Sequence, residues 1–269
     1  MMMTKSKARR QQKWLVLGGT KEASDFISYW HKKESVQLIL SLAGVTRHRP
    51  IEGCEIRVGG FSRHAEDGQM TDGATGMTDY IFQEGCGAVI DLTHPFARQI
   101  SANARQAAMR ADIPYFHYMR APWVAMEHDN WQFHDSWQTL YQTVKTPHLF
   151  IAGGHEALNA LPPNYQGAVT ARMIEAPPHG QETLPKDVEI ILSRPPASVE
   201  EEVSLFVKKN ITAVAAKLSG GKASAAKLAA ARHLSLPVHL VRRPVYPSGW
   251  YDKMSALHDR LDSLWRGID

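Results

Sequence analysis

The chain has 269 residues, 43% of them hydrophobic and 22% charged, enough for about two domains with substantial cores. That composition excludes collagen-like, disulfide-scaffold and disordered classes, and no apolar run approaches the ~18 residues of a membrane span. The formal charge of +4 is concentrated at the start, where Lys5, Lys7, Arg9, Arg10 and Lys13 meet no acidic residue; the remainder is near neutral, which argues against nucleic-acid binding.

Residues 1–12 read as a disordered basic tail. The apolar run Trp14–Leu17 stops at Gly18, too short for a signal-peptide core of about 7–15 residues. Cys54 and Cys86 are the only cysteines, which gives neither a disulfide framework nor a cysteine zinc site. A reducing, cytoplasmic location is expected, with no membrane partner and no metal.

The predicted elements alternate strand and helix. The strands are short continuous apolar runs, as in a parallel sheet buried on both faces. Trp14–Leu17 is the first strand, and Ala23–Trp30 lies in the helix after it. Val36–Ala43 and the weaker Glu55–Val58 follow. Ala88–Leu92 is a fourth strand, leading into a helix from Pro95 to about Arg110 and a short strand at Tyr115–Tyr118. The stretch Arg120–Lys145 is polar, aromatic and irregular, so the junction is placed there, with domains at 13–124 and 125–269. In the second, His148–Ala152, Ala168–Ile174, Val188–Leu192, Thr212–Lys217 and Val238–Val241 read as strands. Ser198 and Glu201 form a capping-box pair ahead of a helix whose apolar face carries Val199, Val203, Phe206 and Val207. An Ala-rich helix spans about Ala223–Leu234, and a last helix covers Met254–Trp265. The fold class is therefore α/β with two parallel-sheet units, in which ligands bind at the carboxyl ends of the strands.

The turns after those strands hold the chemistry. Gly18-Gly19-Thr20 lacks the full dinucleotide fingerprint; it suits either a phosphate at a helix N-terminus or a plain tight turn capped by Thr20. The second strand ends at Ser41 without the acid that would bind an NAD ribose, and with Arg47 and Arg49 nearby. This favours NADP(H), unless those arginines belong to an ordinary solvated loop. Gly59-Gly60-Phe61 reads as close backbone approach to a ligand under an exposed stacking aromatic, or as a loop. In Asp91-Leu92-Thr93-His94-Pro95, Pro95 suits the first helical position and Thr93 or His94 a cap; Asp91 and His94 are equally candidates for acid–base work. Lys217-Leu218-Ser219-Gly220-Gly221 is a second phosphate-type loop without Walker spacing, Gly153-Gly154-His155 repeats the theme, and Arg242 and Arg243 end the last strand. No zinc motif or G-x-S-x-G elbow is present.

Together these segments resemble the precorrin-6A reductase family, including its cobalt-precorrin-6A form. The resemblance is carried by Leu15–Glu22 (LVLGGTKE), Arg57–Phe61 (RVGGF), Asp91–Ala104 (DLTHPFARQISANA), Arg120–Trp123 (RAPW) and the KLSGG, AAKLAAAR, LPV and VRRP pieces of Lys217–Pro244. It implies two Rossmann-like domains with the active site in the cleft between them, and NADPH-dependent reduction of one ring double bond of a polycarboxylated tetrapyrrole in cobalamin biosynthesis. Carried over by position, Gly18, Gly19 and Thr20 bind the cofactor, to which the residue reading of the second strand end adds Ser41 and Arg47. Gly59, Gly60, Phe61, Thr93 and His94 line the cleft, and Lys217, Ser219, Gly220 and Gly221 face it from the other domain. Asp91 and His94 are the candidate proton donors, with solvent an equal one. Leu218 stands where the family commonly has Asn, and Lys21 where it has Thr. Passing contact with neighbouring pathway enzymes is a further expectation. The rivals are a corrinoid- or nucleotide-binding carrier without turnover and another NADP-dependent Rossmann oxidoreductase.

Overall fold

The computed structural model describes residues 12–33, 36–44, 52–62, 70–176, 184–185, 187–195 and 198–266; the expected basic tail lies outside them, except that Gln12 already belongs to a strand. The chain divides into two units, Met1–Arg120 with Tyr246–Asp269, and Ala121–Val245. The first contains β1 (Gln12–Leu17), α1 (Lys21–Trp30), β2 (Val36–Leu42), β3 (Glu55–Val58), α2 (Gly73–Glu84), β4 (Ala88–Asp91), α3 (Arg98–Arg110) and β5 (Tyr115–His117). The second contains β6 (Trp131–His134), α4 (Trp137–Thr143), β7 (His148–Ala152), α5 (Gly154–Asn159), β8 (Ala168–Met173), β9 (Val188–Leu192), α6 (Val199–Lys208), β10 (Ala213–Lys217), α7 (Ala226–His233) and β11 (Val238–Val241). Helix α8 (Met254–Arg266) ends the chain in the first unit.

The first sheet runs β3-β2-β1-β4-β5, with all pairs parallel. The strand order reverses between β1 and β4, which is where open α/β sheets place their ligands. Alternation along β1 loads both faces. Trp14 and Val16 join Phe26, Ile27 and Trp30 of α1 and Leu257 and Leu261 of α8; Leu15 and Leu17 join Met77 and Ile81 of α2 and Ala104, Ala107 and Ala108 of α3. This packing explains why the second domain does not run to residue 269. Leu257 and Leu261 are completely buried in the first unit's core, and Tyr251 pairs with Tyr118 beyond β5.

The second sheet runs β6-β11-β10-β7-β8-β9, again parallel throughout. Counted from β7, its order repeats that of the first sheet, with the reversal between β7 and β10 and with β6 added at the β11 edge. Phe150, Phe206, Val214, Leu228 and Leu240 form the core beneath α6 and α7. Ser198 Oγ accepts from the Glu201 amide to cap α6, and Glu200, Glu201 and Glu202 occupy its first turn, where the helix dipole favours them.

Three expectations need correction. Arg120–Lys145 is not irregular throughout: it contains β6, and α4 with a reciprocal Ser136–Thr139 capping box. Helix α3 begins at Arg98 rather than Pro95, and its N-cap, Ala97, has no side-chain bond. Phe61 is not an exposed lid. It is 5% exposed and packs edge-on against Tyr80, under the Arg57 guanidinium 3.7 Å from its ring centroid.

Candidate active site

In unit 1 the loops on either side of the β1/β4 reversal are joined directly. Thr20 Oγ1 accepts from the Ala23 amide at 3.2 Å, capping α1, and donates to the Leu92 carbonyl at 2.7 Å. Gly18 fits because a Cβ there would crowd Leu40 and Ala23, whereas at Gly19 (φ +100°) the equivalent space is open. The chain therefore passes tightly behind Gly18 and leaves a bare backbone at Gly19, followed at once by the N-terminus of α1.

The β2 and β3 ends are tied by Arg57. Its guanidinium donates to Ser41 Oγ (3.3 Å) and to the Gly59 and Gly60 carbonyls (both 2.5 Å). Ser41 itself is buried. A Cβ at Gly59 or Gly60 would meet nothing within 4 Å, so this turn also presents open backbone. Arg47 lies outside the described residues.

After β4, Asp91 is completely buried. One carboxylate oxygen accepts from the Thr93 amide (3.0 Å) and Thr93 Oγ1 (2.7 Å), the other from the Tyr115 hydroxyl (2.7 Å). Burial, reinforced by the carboxylate, pushes the Tyr115 phenol well above its ordinary pKa, so it stays a donor. His117 Nε2 lies 3.9 Å from the same carboxylate; desolvation pulls its pKa below the usual value despite Asp91. Asp91 has no exposed surface, and both its carboxylate oxygens are occupied by Thr93 and Tyr115. Thr93 is not a helix cap: it hands the Asp91 contact on to the His94 loop, and Thr93 Oγ1 lies 3.3 Å from Ser101 Oγ of α3. His94 Nδ1 accepts from the Phe96 amide at 3.3 Å, which places the ring hydrogen on Nε2. Tyr246 donates its hydroxyl to the Pro95 carbonyl (3.1 Å), with its ring 5.3 Å from that of His117.

In unit 2, Lys217 at the end of β10 pairs with Glu156 at 2.6 Å. Ser219 is buried, and Gly220 and Gly221 have φ of +67° and +90°; a Cβ on Gly220 would collide with the Ala121 carbonyl. The Leu218 side chain packs against the core under α7, so the departure from Asn changes a core contact. Arg243 donates to the Leu218 and Ser219 carbonyls, and Trp123 Nε1 to that of Gly221. Gly153 is dictated by packing, since a Cβ there would enter the Trp137 ring. Arg242 pairs with Asp135 at the surface.

Sequence reasoning did not find Tyr115, His117, Trp123 or Tyr246 as site-forming residues, nor the loop-holding role of Arg57 and Arg243. Apart from Arg57, whose carbonyl partners are two and three residues on, each acts through a partner distant in sequence, and no local pattern encodes that. Among the described residues no group of three or more His, Cys, Asp or Glu side chains could hold a metal ion, and no helix is long and apolar enough to cross a membrane.

Comparison with known proteins agrees with this layout. The family model "Precorrin-6x reductase CbiJ/CobK" matches residues 13–264. The chain is 35% identical over 236 residues to a precorrin-6A reductase of Rhodobacter capsulatus, spanning 87% of this chain and 89% of that protein. It is 31% identical over 237 residues to one from Rhodococcus erythropolis, with 87% and 90% coverage. The solved structure described as CobK precorrin-6A reductase superposes with a TM-score of 0.81 at 32% identity, covering 94% of this chain and 96% of that one. With the family model matched over residues 13–264 and relatives at 31–35% identity matched over most of their length, the chain belongs to the precorrin-6x reductase CbiJ/CobK family.

Proposed function

We propose that this chain reduces one ring double bond of precorrin-6A, or its cobalt form, with NADPH as reductant, in the building of the corrin ring of cobalamin. The observation that carries the reading is the pair of loops flanking the β1/β4 reversal, locked together by the Thr20–Leu92 bond, in a chain of this family.

The residues fit a dinucleotide. Gly19 offers open backbone immediately before a capped helix N-terminus, the arrangement that receives a diphosphate. Ser41 and Arg57, with Arg47 on sequence grounds, supply hydroxyl and cation for a ribose 2′-phosphate, and β2 itself carries no acid to repel it. When bound, the cofactor supplies the hydride, so the protein's part is binding, orientation and exclusion of water. Thr93 and His94 are presented toward the ligand side by the buried Asp91–Tyr115 pair. His94, holding its hydrogen on Nε2, serves as a hydrogen-bond donor that orients the substrate. Its Nδ1 already accepts from the Phe96 amide, so the ring is assigned to orientation and not to proton delivery. The proton that completes the reduction then comes from solvent. The loops of unit 2 bind the substrate's carboxylates.

Anaerobic incubation with NADPH and both substrate forms tests this. Oxidation of NADPH matched by a product heavier by one hydrogen molecule supports the reading. Binding of the tetrapyrrole without NADPH oxidation would instead favour a carrier.

A further inference from the structure

We infer that Arg243 and Trp123 are positioning residues that preset the loop Ser219–Lys222 as a receptor for a carboxylate of the tetrapyrrole. The inference deepens the proposed reaction and rests on it for the identity of the ligand.

In a trans peptide the carbonyl and the following N–H point in opposite directions, so whatever captures a carbonyl also aims the next amide. Arg243 Nε and Nη2 each donate at 2.8 Å, to the Leu218 and Ser219 carbonyls respectively, and Trp123 Nε1 donates to the Gly221 carbonyl at 3.0 Å. Three of four consecutive carbonyls are thus held by fixed donors. The Ser219 amide is used within the loop, on the Lys217 carbonyl at 2.7 Å. The amides of Gly220 and Lys222 are the ones turned away from Arg243 and Trp123. Positive φ at Gly220 and Gly221 is a turn that glycine makes without strain, and it leaves no side chain over those amides. The floor is rigid, because the Ala121 carbonyl occupies the space beside Gly220.

The local charge has the matching sign. Arg243 sits beneath the loop, and the buried Lys227 has its ammonium 5.0 Å from the Trp123 ring centroid and bonded to the Ser224 carbonyl. Lys217 pairs with Glu156. The shape points to a carboxylate rather than a diphosphate. In unit 1 a capped α-helix starts directly after the glycines. Here the loop enters a 3₁₀ turn at Lys222–Ser224, and α7 begins only at Ala226 with no side-chain cap, so no array of helix-end amides faces the loop. The segments RAPW, KLSGG and VRRP, separate in sequence, are three parts of this one construction.

The test uses the full chain and the variants Arg243→Ala, Arg243→Lys and Trp123→Phe, with folding checked by circular dichroism and melting. Substrate KM at saturating NADPH, kcat and the equilibrium Kd for NADPH are measured alongside binding of uroporphyrin, a polycarboxylated tetrapyrrole probe that needs no turnover. Arg243→Ala is expected to raise substrate KM and uroporphyrin Kd by roughly 10–100-fold, the worth of one or two charge-assisted bonds, with the NADPH Kd unchanged. Lysine cannot span two carbonyls as the planar fork does, so Arg243→Lys should behave like alanine, whereas added guanidinium should restore Arg243→Ala but not Trp123→Phe. A folded Arg243→Ala or Trp123→Phe protein with wild-type uroporphyrin affinity overturns the inference, as does a loss confined to NADPH. Absence of wild-type turnover together with the expected uroporphyrin result would remove the reductase reading and leave the receptor standing.

Discussion

Replacing Asp91 by Asn probes the foundation of the unit 1 site. The carboxylate accepts three bonds, two from Thr93 and one from Tyr115, at 2.7–3.0 Å with no solvent access. An amide has one acceptor oxygen. If that oxygen stays on Thr93, the NH2 group faces the Tyr115 hydroxyl, whose remaining acceptor is the Ser101 carbonyl at 3.4 Å. Losing one charge-assisted bond costs about 2 kcal/mol and neutralising the other two about 1 kcal/mol more, against which removal of a buried charge returns a fraction. The net expectation is a loss of about 2–3 kcal/mol from the stability of unit 1. The Thr93–His94 loop loosens with it, and a displacement near 1 Å at a reacting group is worth roughly 100-fold in rate. Tyr115→Phe should cost about 2 kcal/mol, and the double variant should be less than additive by about 1–2 kcal/mol, because the mismatched donor pair vanishes. Urea unfolding and single-turnover reduction measure both effects. An Asp91→Asn protein within about 0.5 kcal/mol of wild type and with undiminished turnover would refute the assignment of Asp91 as the anchor of this loop.

Further outcomes follow from other parts of the molecule. Arg172 and Glu202 form a two-pronged pair at 2.6 and 2.7 Å, both side chains buried; Glu202→Ala leaves an uncompensated buried guanidinium and should cost about 3–5 kcal/mol in urea. His134 Nε2 and His239 Nδ1 are 3.1 Å apart and buried. Burial, then the facing His134, pulls His239 down from 6.5 to about 4, and burial with Arg242 lowers His134 against the pull of Asp135. The unfolded chain therefore binds more protons than the folded one across that window. The stability is complete above about pH 6.5 and lost as pH falls toward about 4. Melting temperature followed against pH should show this decline, and His239→Gln should flatten it; parallel curves would contradict the assignment. If His94 orients rather than protonates, His94→Ala raises substrate KM and leaves the pH profile of the single-turnover rate unchanged in shape, whereas loss of an alkaline limb would make it the acid. Arg47→Ala should lower kcat/KM for NADPH by roughly 10-fold or more and leave that for NADH nearly unchanged.

Much of the fold was legible because buried parallel strands carry little besides apolar residues. The runs 148–152, 188–192 and 238–241 coincide with β7, β9 and β11, and the Ser198 cap announced α6. Helix α2 escaped notice because Gly73, Gly76 and two threonines blur its periodicity; Gly76 is needed there since a Cβ would strike the Phe61 carbonyl. The β6–α4 segment was obscured by aromatic residues that face the core, such as Trp137 and Tyr141. The return of α8 to unit 1 depends on where Leu257 and Leu261 find an apolar face, which local pattern does not reveal. At the site, the strand-end loops were visible from their glycines and hydroxyls, but their wiring was not. Arg57 and Arg243 are cations at strand ends whose guanidinium groups also hold loop carbonyls. Asp91 reads as an acid and is spent on Thr93 and Tyr115. Phe61, beside paired glycines, reads as a lid and fills the core.

The most direct measurement is single-turnover reduction of precorrin-6A by the full chain under anaerobic conditions, with the 4-position of NADPH deuterated on each face in turn and the product analysed by mass. Transfer of one deuterium to the tetrapyrrole from one face only, with a second hydrogen from solvent and matching loss of NADPH, is the predicted result. Recovery of unchanged substrate and NADPH from a folded, tetrapyrrole-bound protein would contradict it.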